Sequence, residues 1–435
     1  MKVSDFLKND LVDYASYSTV RMIGSAIDGQ KNAARKIVKT ILDKNIKKEI
    51  KVSQLGSKAS EYTEYLHGDI CGVIVTMAQN YSGTNNLPLL DREGNFGTRF
   101  IPEASASRYI YTNGSKEMFE LFNKDDLNIL EKQYFEGEEI EPKFYLPCTP
   151  LILVNGSEGI ATGFAQKILP RNPELIKNYL ISRLNETNSK TDETFTPWFK
   201  DFTGEVIQGE NPKQWIIKGK VQKISITKVL ITELPVGYSL KSYISILNKL
   251  EDNKVITSFK DKSEKDFRFE VSMLSSNLKK LSINDLLVKL KLIKTVTENY
   301  TCIDEFSKIK EFNDVSEVFD YYYSIKLKYL QKRKDYLIKT IKESIQLNYS
   351  KYLFIKNIVE DKLIINKRTK DEIIKDLSLI TDIQVYDNYD YLLNMRISSL
   401  TKEKMIELED SLRNLKKKFN IIKTTSLQDL WKDEL

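Results

Sequence analysis

The segment KNAARKIVKTIL, residues 31–42, places Ala33, Ala34, Ile37, Val38, Ile41 and Leu42 at helical spacing, with Lys31, Arg35 and Lys39 on another stripe. That period predicts an amphipathic helix, begun at Asp28 and Gly29. A second helix is predicted through SKASEYTEY, then a turn at LHGD, then a third helix through ICGVIVTMAQNY with Asp69 as its N-cap. Helix, tight glycine turn and helix outline a helix-turn-helix unit. Further along, LILV at 151–154 reads as a strand ended by Asn155-Gly156, and PELIKNYLISRLNE at 173–186 reads as a helix with proline in its first turn. Alternation in WIIKGKVQKISITKVLITEL and FRFEVSM predicts a sheet with covering helices across 203–275. Val315, Val318, Tyr322, Ile325 and Tyr329 then step by three and four, and Tyr336, Ile341 and Ile345 continue the face through a charged segment, which predicts one long helix. KEKMIELEDSLRNLKKKF, from Lys402 on, reads as a helix pairing back against it, so a long antiparallel hairpin with a small helical knot at its tip fits the order. The fold class is multi-domain α+β.

Composition narrows the function classes. The 435 residues allow two or three domains, and 41% hydrophobic with 29% charged positions, 17 Gly and 10 Pro exclude collagen-like, disulfide-scaffold and wholly disordered chains. The excess of 67 basic over 61 acidic residues, +6, permits contact with a polyanion without arguing for one. Cys71, Cys148 and Cys302 are scattered and form no CxxC pair, so neither a zinc cage nor a disulfide framework is indicated, and a reducing, cytoplasmic setting is expected. No apolar run approaches about 18 residues, and the N-terminus lacks the apolar core of a signal peptide, so no membrane partner is expected. The single histidine excludes a three-histidine metal site.

Candidate chemistry gathers in the first third. Arg108 stands beside Tyr109 after the small residues of ASAS, which let a ligand approach. A phenol has a pKa of about 10, so it attacks only where a neighbour stabilises its anion or takes its proton. An adjacent guanidinium stabilises that anion and clamps a phosphate. Any one of the 23 tyrosines is more often a packing residue. His67 precedes a helix start, where free backbone N–H groups favour an anion. Together with Lys31, Arg35 and Lys39, these positions point to phosphate binding. EGEEIEP at 136–142 reads as a surface loop rather than a metal site, and no Walker-type phosphate loop is present.

TVRMIGSAIDGQKNAARKIVKTIL (19–42), KVSQLGSKASEYTEYLHGD (51–69), MAQNYSGTNNLPLLDREGNFGTR (77–99), ASASRYIYT (104–112) and PLILVNGSEGIATGF (150–164) resemble the DNA breakage-reunion region of type IIA topoisomerases. QKRKDYL, DKLIINKRTKDEI and YDYLLNMRISSLTKEK continue the resemblance in the same order, over nearly the whole chain. Length and start and stop points look most like the medium subunits of T-even-type phage topoisomerases, which are related to the gyrase A-subunits. The resemblance implies a winged-helix DNA-gate domain at 1–148, an α/β tower at 149–311, and a coiled coil with a helical C-gate at 312–435. It implies Tyr109 as the nucleophile that becomes joined to a 5′ DNA end, with Arg108, Arg21 and His67 around the scissile phosphate. Lys31, Arg35, Lys36 and Arg99 match or neighbour DNA-backbone contacts, and Ile160 matches an apolar wedge that enters a base step. The implied partners are double-stranded DNA, a second copy of the chain, and a separate large subunit. That polypeptide would hold most of the Mg²⁺ site and bind ATP. Leu66 departs from the pattern, standing where a first histidine is common. The chain ends at Leu435, without the DNA-wrapping domain of gyrase, so relaxation or decatenation is expected rather than negative supercoiling. The alternatives are a non-catalytic winged-helix architectural protein and a tyrosine recombinase; the latter's His-x-x-Arg pattern fails at Ile70.

Overall fold

Ile37, Val38 and Ile41, all fully buried, are the apolar stripe around which the N-terminal region assembles. In the computed structural model, which describes residues 7, 10–187, 192–386 and 388–435, they lie on the Asn32–Lys44 helix. That helix ends at Asn45, whose left-handed backbone (φ 49°) returns its N–H to the Ile41 and Leu42 carbonyls. It packs against the Val52–Tyr62 and Cys71–Ala78 helices, which also pack on each other. A three-stranded antiparallel sheet, ordered Ile50–Lys51, Tyr111–Gly114, Leu90–Glu93, completes a winged-helix arrangement.

Two local expectations change. LILV is one helical turn, Leu151–Val154, with all four side chains buried. An apolar run buried on every side carries no period by which strand and helix differ; here Val154 N–H donates to the Pro150 carbonyl at 3.1 Å and closes the turn. The strand comes next, Ser157–Ile160 paired with Ala165–Ile168. The acidic EGEEIEP segment is part of a hairpin, Tyr134–Phe135 with Glu138–Glu139, and its Glu141 is fully buried rather than at the surface.

Residues 1–326 with 431–435 make one compact unit and 327–430 a second. Within the first unit, a four-stranded sheet runs in the order Lys220–Lys223, Lys228–Glu233, Phe269–Ser272, Ser258–Asp261. Val229, Ile231, Phe269 and Val271 alternate into a core closed by Tyr243 and Leu247 of the Leu240–Asp252 helix and Leu286 of the Ile283–Lys289 helix. At the far end of the chain, Trp431 is fully buried and its Nε1–H donates to the Cys148 carbonyl at 2.8 Å. In the second unit, residues 327–359 of the Val315–Val359 helix run antiparallel to the Lys402–Thr424 helix: Lys334 Nζ donates to the Thr425 carbonyl at 2.7 Å, and Lys342 lies 5.8 Å from the Phe419 ring centroid. Phe354, Leu363, Ile373, Leu377 and Leu392 form the small helical core of that unit.

The first unit buries a complete ion pair. Arg171 and Glu298 have no exposed side-chain surface and meet through two N–H to oxygen bonds of 2.6 and 2.7 Å. Glu298 also accepts from Trp215 Nε1, the Tyr300 hydroxyl and Leu169 N–H at 2.8, 2.8 and 2.7 Å. Burial pushes the Glu298 carboxyl up, but the Arg171 guanidinium and these donors outweigh it and hold the group below the usual carboxylate value. The pair's contribution to stability is therefore complete above the ordinary carboxylate range and is lost as pH falls through the lowered folded value. Glu298→Ala, which strands Arg171, is expected to cost about 3–5 kcal/mol in urea unfolding. Glu120→Ala, which removes the exposed pair with Lys116, is expected to cost under about 1 kcal/mol.

Candidate nucleic-acid interface and active site

Ile110 is buried, and its carbonyl accepts from Val52 N–H at 3.0 Å while Ser53 N–H donates to the Ser107 carbonyl at 3.1 Å. These bonds tie the segment before the Tyr111–Gly114 strand to the start of the Val52–Tyr62 helix. With Ile110 facing in, its neighbour faces out: Tyr109 is 69% exposed. Arg108 is also exposed, its guanidinium carbon 5.7 Å from the Tyr109 ring centroid. The small side chains at 104–107 leave this corner open to a large ligand.

A second cluster lies on the Asp10–Met22 helix and the turn before Cys71. Exposed His67 is hydrogen-bonded at Nε2 by the Tyr17 hydroxyl and touched edge-on by Tyr65 at 5.8 Å. Burial, then Arg21, then Lys36 lower its pKa, which puts Arg21 and Lys36 in electrostatic reach of the imidazole. Arg21 also lines a groove of about 860 Å³ with Lys31, Lys167 and Lys294, in which Glu158 is the one acidic side chain among the lining residues. Burial pulls Lys31 below the ordinary lysine value, partly offset by Glu158; burial and Lys167 do the same to Lys294. Cations held in this state gain most from an anion. Gly29 lies in the groove wall with φ +68°, and a Cβ there would come within 2.7 Å of the Ile152 nitrogen. Neither Lys167 nor Lys294 was marked by sequence reasoning; Lys167 sits three residues past GIATGF, and nothing in the sequence signals Lys294.

Ile160 is 74% exposed at the end of the Ser157–Ile160 strand. Its hairpin is anchored beside the tip, because Gln166, opposite Gly159, accepts from Gly24 N–H at 2.9 Å and donates to the Gly24 carbonyl at 3.1 Å. Gly159 lies so close to the Met22 carbonyl that a Cβ there would collide with it. The apolar tip and the helix that carries Arg21 are thus joined by one bracket.

Three of the expected DNA contacts are engaged by carboxylates of the chain itself. Arg35 is buried, pairing with Asp28 at 3.0 Å and donating to the Gln30 carbonyl at 2.8 Å. Lys36 is buried on Glu141 at 2.9 Å and also donates to the Thr63 carbonyl. Arg99 meets Glu233 at 2.6 Å and donates to the Leu234 carbonyl at 2.5 Å, with Phe267 and Phe202 beside its guanidinium. Each cation has a carboxylate next to it: Asp28 from the turn before the same helix, and Glu141 and Glu233 from far along the chain. Asp28 is likewise no helix start, since Lys31 is the N-cap. Among the described residues, no hydrogen bond, ion pair or ring contact links Tyr109 or Arg108 to Arg21 or His67. Nor does any group of three or more His, Cys, Asp or Glu side chains among them have the arrangement of a metal site. No described helix is long and apolar enough to cross a membrane.

Comparison with known proteins places this geometry. A DNA topoisomerase 2, mitochondrial, of Dictyostelium discoideum is 34% identical over 99% of the chain, and a DNA topoisomerase 2 of Saccharomyces cerevisiae is 30% identical over 100% of it. The chain spans about a third of the length of each, 34%. The crystal structure of the Plasmodium falciparum topoisomerase II DNA-binding, cleavage and re-ligation domain superposes with a TM-score of 0.87 at 30% identity, over 99% of this chain and 63% of that one. The model of the DNA gyrase/topoisomerase IV A-subunit family matches residues 21–435, and the chain belongs to that family.

Proposed function

We propose that this chain is the DNA breakage-reunion part of an ATP-dependent type II topoisomerase, with Tyr109 as its nucleophile. The observation that carries the reading is the exposed phenol of Tyr109 with the Arg108 guanidinium beside it, on a winged-helix body. In this reaction the Tyr109 oxygen attacks a backbone phosphorus, forming a bond to the 5′-phosphate as the bond to the 3′-oxygen breaks. The phenol gives up its proton to water as it attacks, and the departing 3′-oxygen takes one from water and remains as a hydroxyl. Reversal reseals the strand without an outside energy source, because one phosphodiester is exchanged for another. Arg108, Arg21 and His67 offset the charge that builds on the phosphoryl oxygens. Since Arg21 and His67 form a cluster apart from Tyr109, we assign the joining of the two clusters to a symmetric dimer on one duplex.

Lys31 contacts the DNA backbone in this reading, joined by Lys167 and Lys294 of the same groove. Arg35, Lys36 and Arg99 act one step back, holding the helix and the loop that face the DNA. Ile160 enters a base step; unstacking costs a few kcal/mol, offset by the larger surface that bent DNA contacts. The finer assignment is a medium-subunit type of the T-even phage kind, divided into a DNA gate at 1–148, a tower at 149–311 and a coiled coil with C-gate at 312–435. ATP binding and most of the Mg²⁺ site then fall to a separate large subunit. The site of action would be the cytoplasm, that of the host cell for a phage-encoded chain.

Tyr109→Phe is expected to abolish denaturant-resistant capture of DNA while leaving non-covalent affinity within about twofold, the phenyl ring being retained. Capture equal to that of the native chain would rule out Tyr109 as the nucleophile. Ile160→Ala is expected to reduce the bend seen by energy transfer between duplex ends, with covalent capture falling in parallel. Affinity should decline steeply with salt, and Lys31→Ala should lower the slope of log K against log salt by about one. A slope unchanged by that substitution removes Lys31 from the contact set.

A further inference from the structure

The Asp10–Met22 helix carries Tyr17 and Arg21 one turn apart, on one face. Near that face lies His67, the single histidine of the chain, on the exposed turn before the Cys71–Ala78 helix. The Tyr17 ring centroid is 5.8 Å from the imidazole with the planes inclined by 46°, and the Tyr17 hydroxyl reaches Nε2. Tyr65 adds an edge contact at 5.8 Å and 76°. Neighbouring Leu66 is 70% exposed and offers no polar atom, so the phenol of Tyr17 is the side-chain hydrogen-bond partner of this ring. An exposed imidazole is thus held in orientation by two aromatic rings and one hydrogen bond.

With Nε2 occupied, Nδ1 is the nitrogen left for a ligand. A phosphodiester oxygen only accepts, so it gains from this ring only when Nδ1 carries hydrogen. Neutral imidazole has two tautomers, and one of them lacks that hydrogen. Tautomer matters here because the ring is mostly neutral at neutral pH: burial, then Arg21, then Lys36 lower its pKa. The charged and titratable groups facing it are Tyr17 and Arg21 from the Asp10–Met22 helix, Lys36 from the Asn32–Lys44 helix, and Tyr65 from its own turn.

We propose that Tyr17 is a positioning residue for His67: its hydroxyl donates to Nε2 and holds the neutral ring as the Nδ1–H tautomer, ready to donate to a phosphate oxygen. This deepens the breakage-reunion reading and rests on it for the ligand, a DNA phosphodiester, while the tautomer stands apart from it. The arrangement keeps a hydrogen on Nδ1 on both sides of the imidazole titration, so the donor persists across neutral pH.

The single histidine makes the test direct. In a chain labelled with nitrogen-15 histidine, a long-range proton–nitrogen correlation spectrum near pH 8 should show the Nδ1–H form, and Tyr17→Phe should move most of the population to Nε2–H. A native ring already in the Nε2–H form, or a spectrum unaffected by Tyr17→Phe, overturns the proposal. The functional arm follows covalent DNA capture against pH in the full assembly, with Mg²⁺ and the complementing ATPase polypeptide present. Tyr17→Phe should lose about tenfold above the imidazole titration, less than the roughly 100-fold that deleting a fixed donor costs, and regain the native rate below it, where both nitrogens carry hydrogen. A loss equal at every pH, or one that persists undiminished in a His67→Ala background, overturns it. Tyr109→Phe run alongside separates the two readings: capture surviving that change refutes the nucleophile assignment, while the spectrum still decides the tautomer.

Discussion

A cation on a helix either faces outward to a phosphate or is neutralised within the protein, and the Asn32–Lys44 helix takes the second course three times. Arg35 meets Asp28, Lys36 meets Glu141, and Lys39 meets Asp43 and Glu139. Burial pushes the Asp28 carboxyl up, and Arg35 with the N–H groups of Tyr145 and Gln30 offsets only part of that. Such pairs add little net stability over an apolar core, but stranding one partner is costly. Their effect is to fix where the helix lies against the preceding turn and the 134–139 hairpin. The position of Lys31, at its N-terminus and in the groove wall, follows from that placement.

The same logic extends to the rest of the first unit. Arg99 on Glu233 ties the GNFGTR loop to the four-stranded sheet, and Arg171 on Glu298 ties the segment after the Ile160 hairpin to the strands behind it. Gln166 joins that hairpin to Gly24, and Gly24 lies two residues beyond the Asp10–Met22 helix. The exposed groups Tyr109, Ile160 and His67 therefore stand on supports tied together by internal ion pairs and hydrogen bonds. A rigid support with a few protruding side chains suits the proposed bending of a stiff polyanion, because motion in the support would dissipate the strain.

Chemistry is divided between two places. Tyr109 and Arg108 occupy the corner before the Tyr111–Gly114 strand, whereas Arg21 and His67 share the helix and turn beside the groove. Half-buried lysines in the groove, with pKa values drawn down by burial, are charged least readily when empty and most readily when an anion arrives.

The sequence alone determined the helical and strand periods, because these depend on which side of a segment is apolar. The long helix from Val315, the Pro173–Leu184 helix and the alternating strands of 214–233 were all legible in that way. Tyr109 and Ile160 were singled out by the resemblance of the blocks around them to type IIA topoisomerases, and both side chains are exposed. LILV was not legible, because burial on every face erases the period. Tertiary structure alone decided which cations are free. Arg35, Lys36 and Arg99 look like Lys31 in sequence, yet they differ because Asp28, Glu141 and Glu233 fold back on them from 7, 105 and 134 residues away. Lys294 joined the groove, and Tyr17 reached His67, by the same means: a charge or a hydroxyl acts through space over a few ångströms, and which groups share that space is set by the packing of elements far apart in the chain.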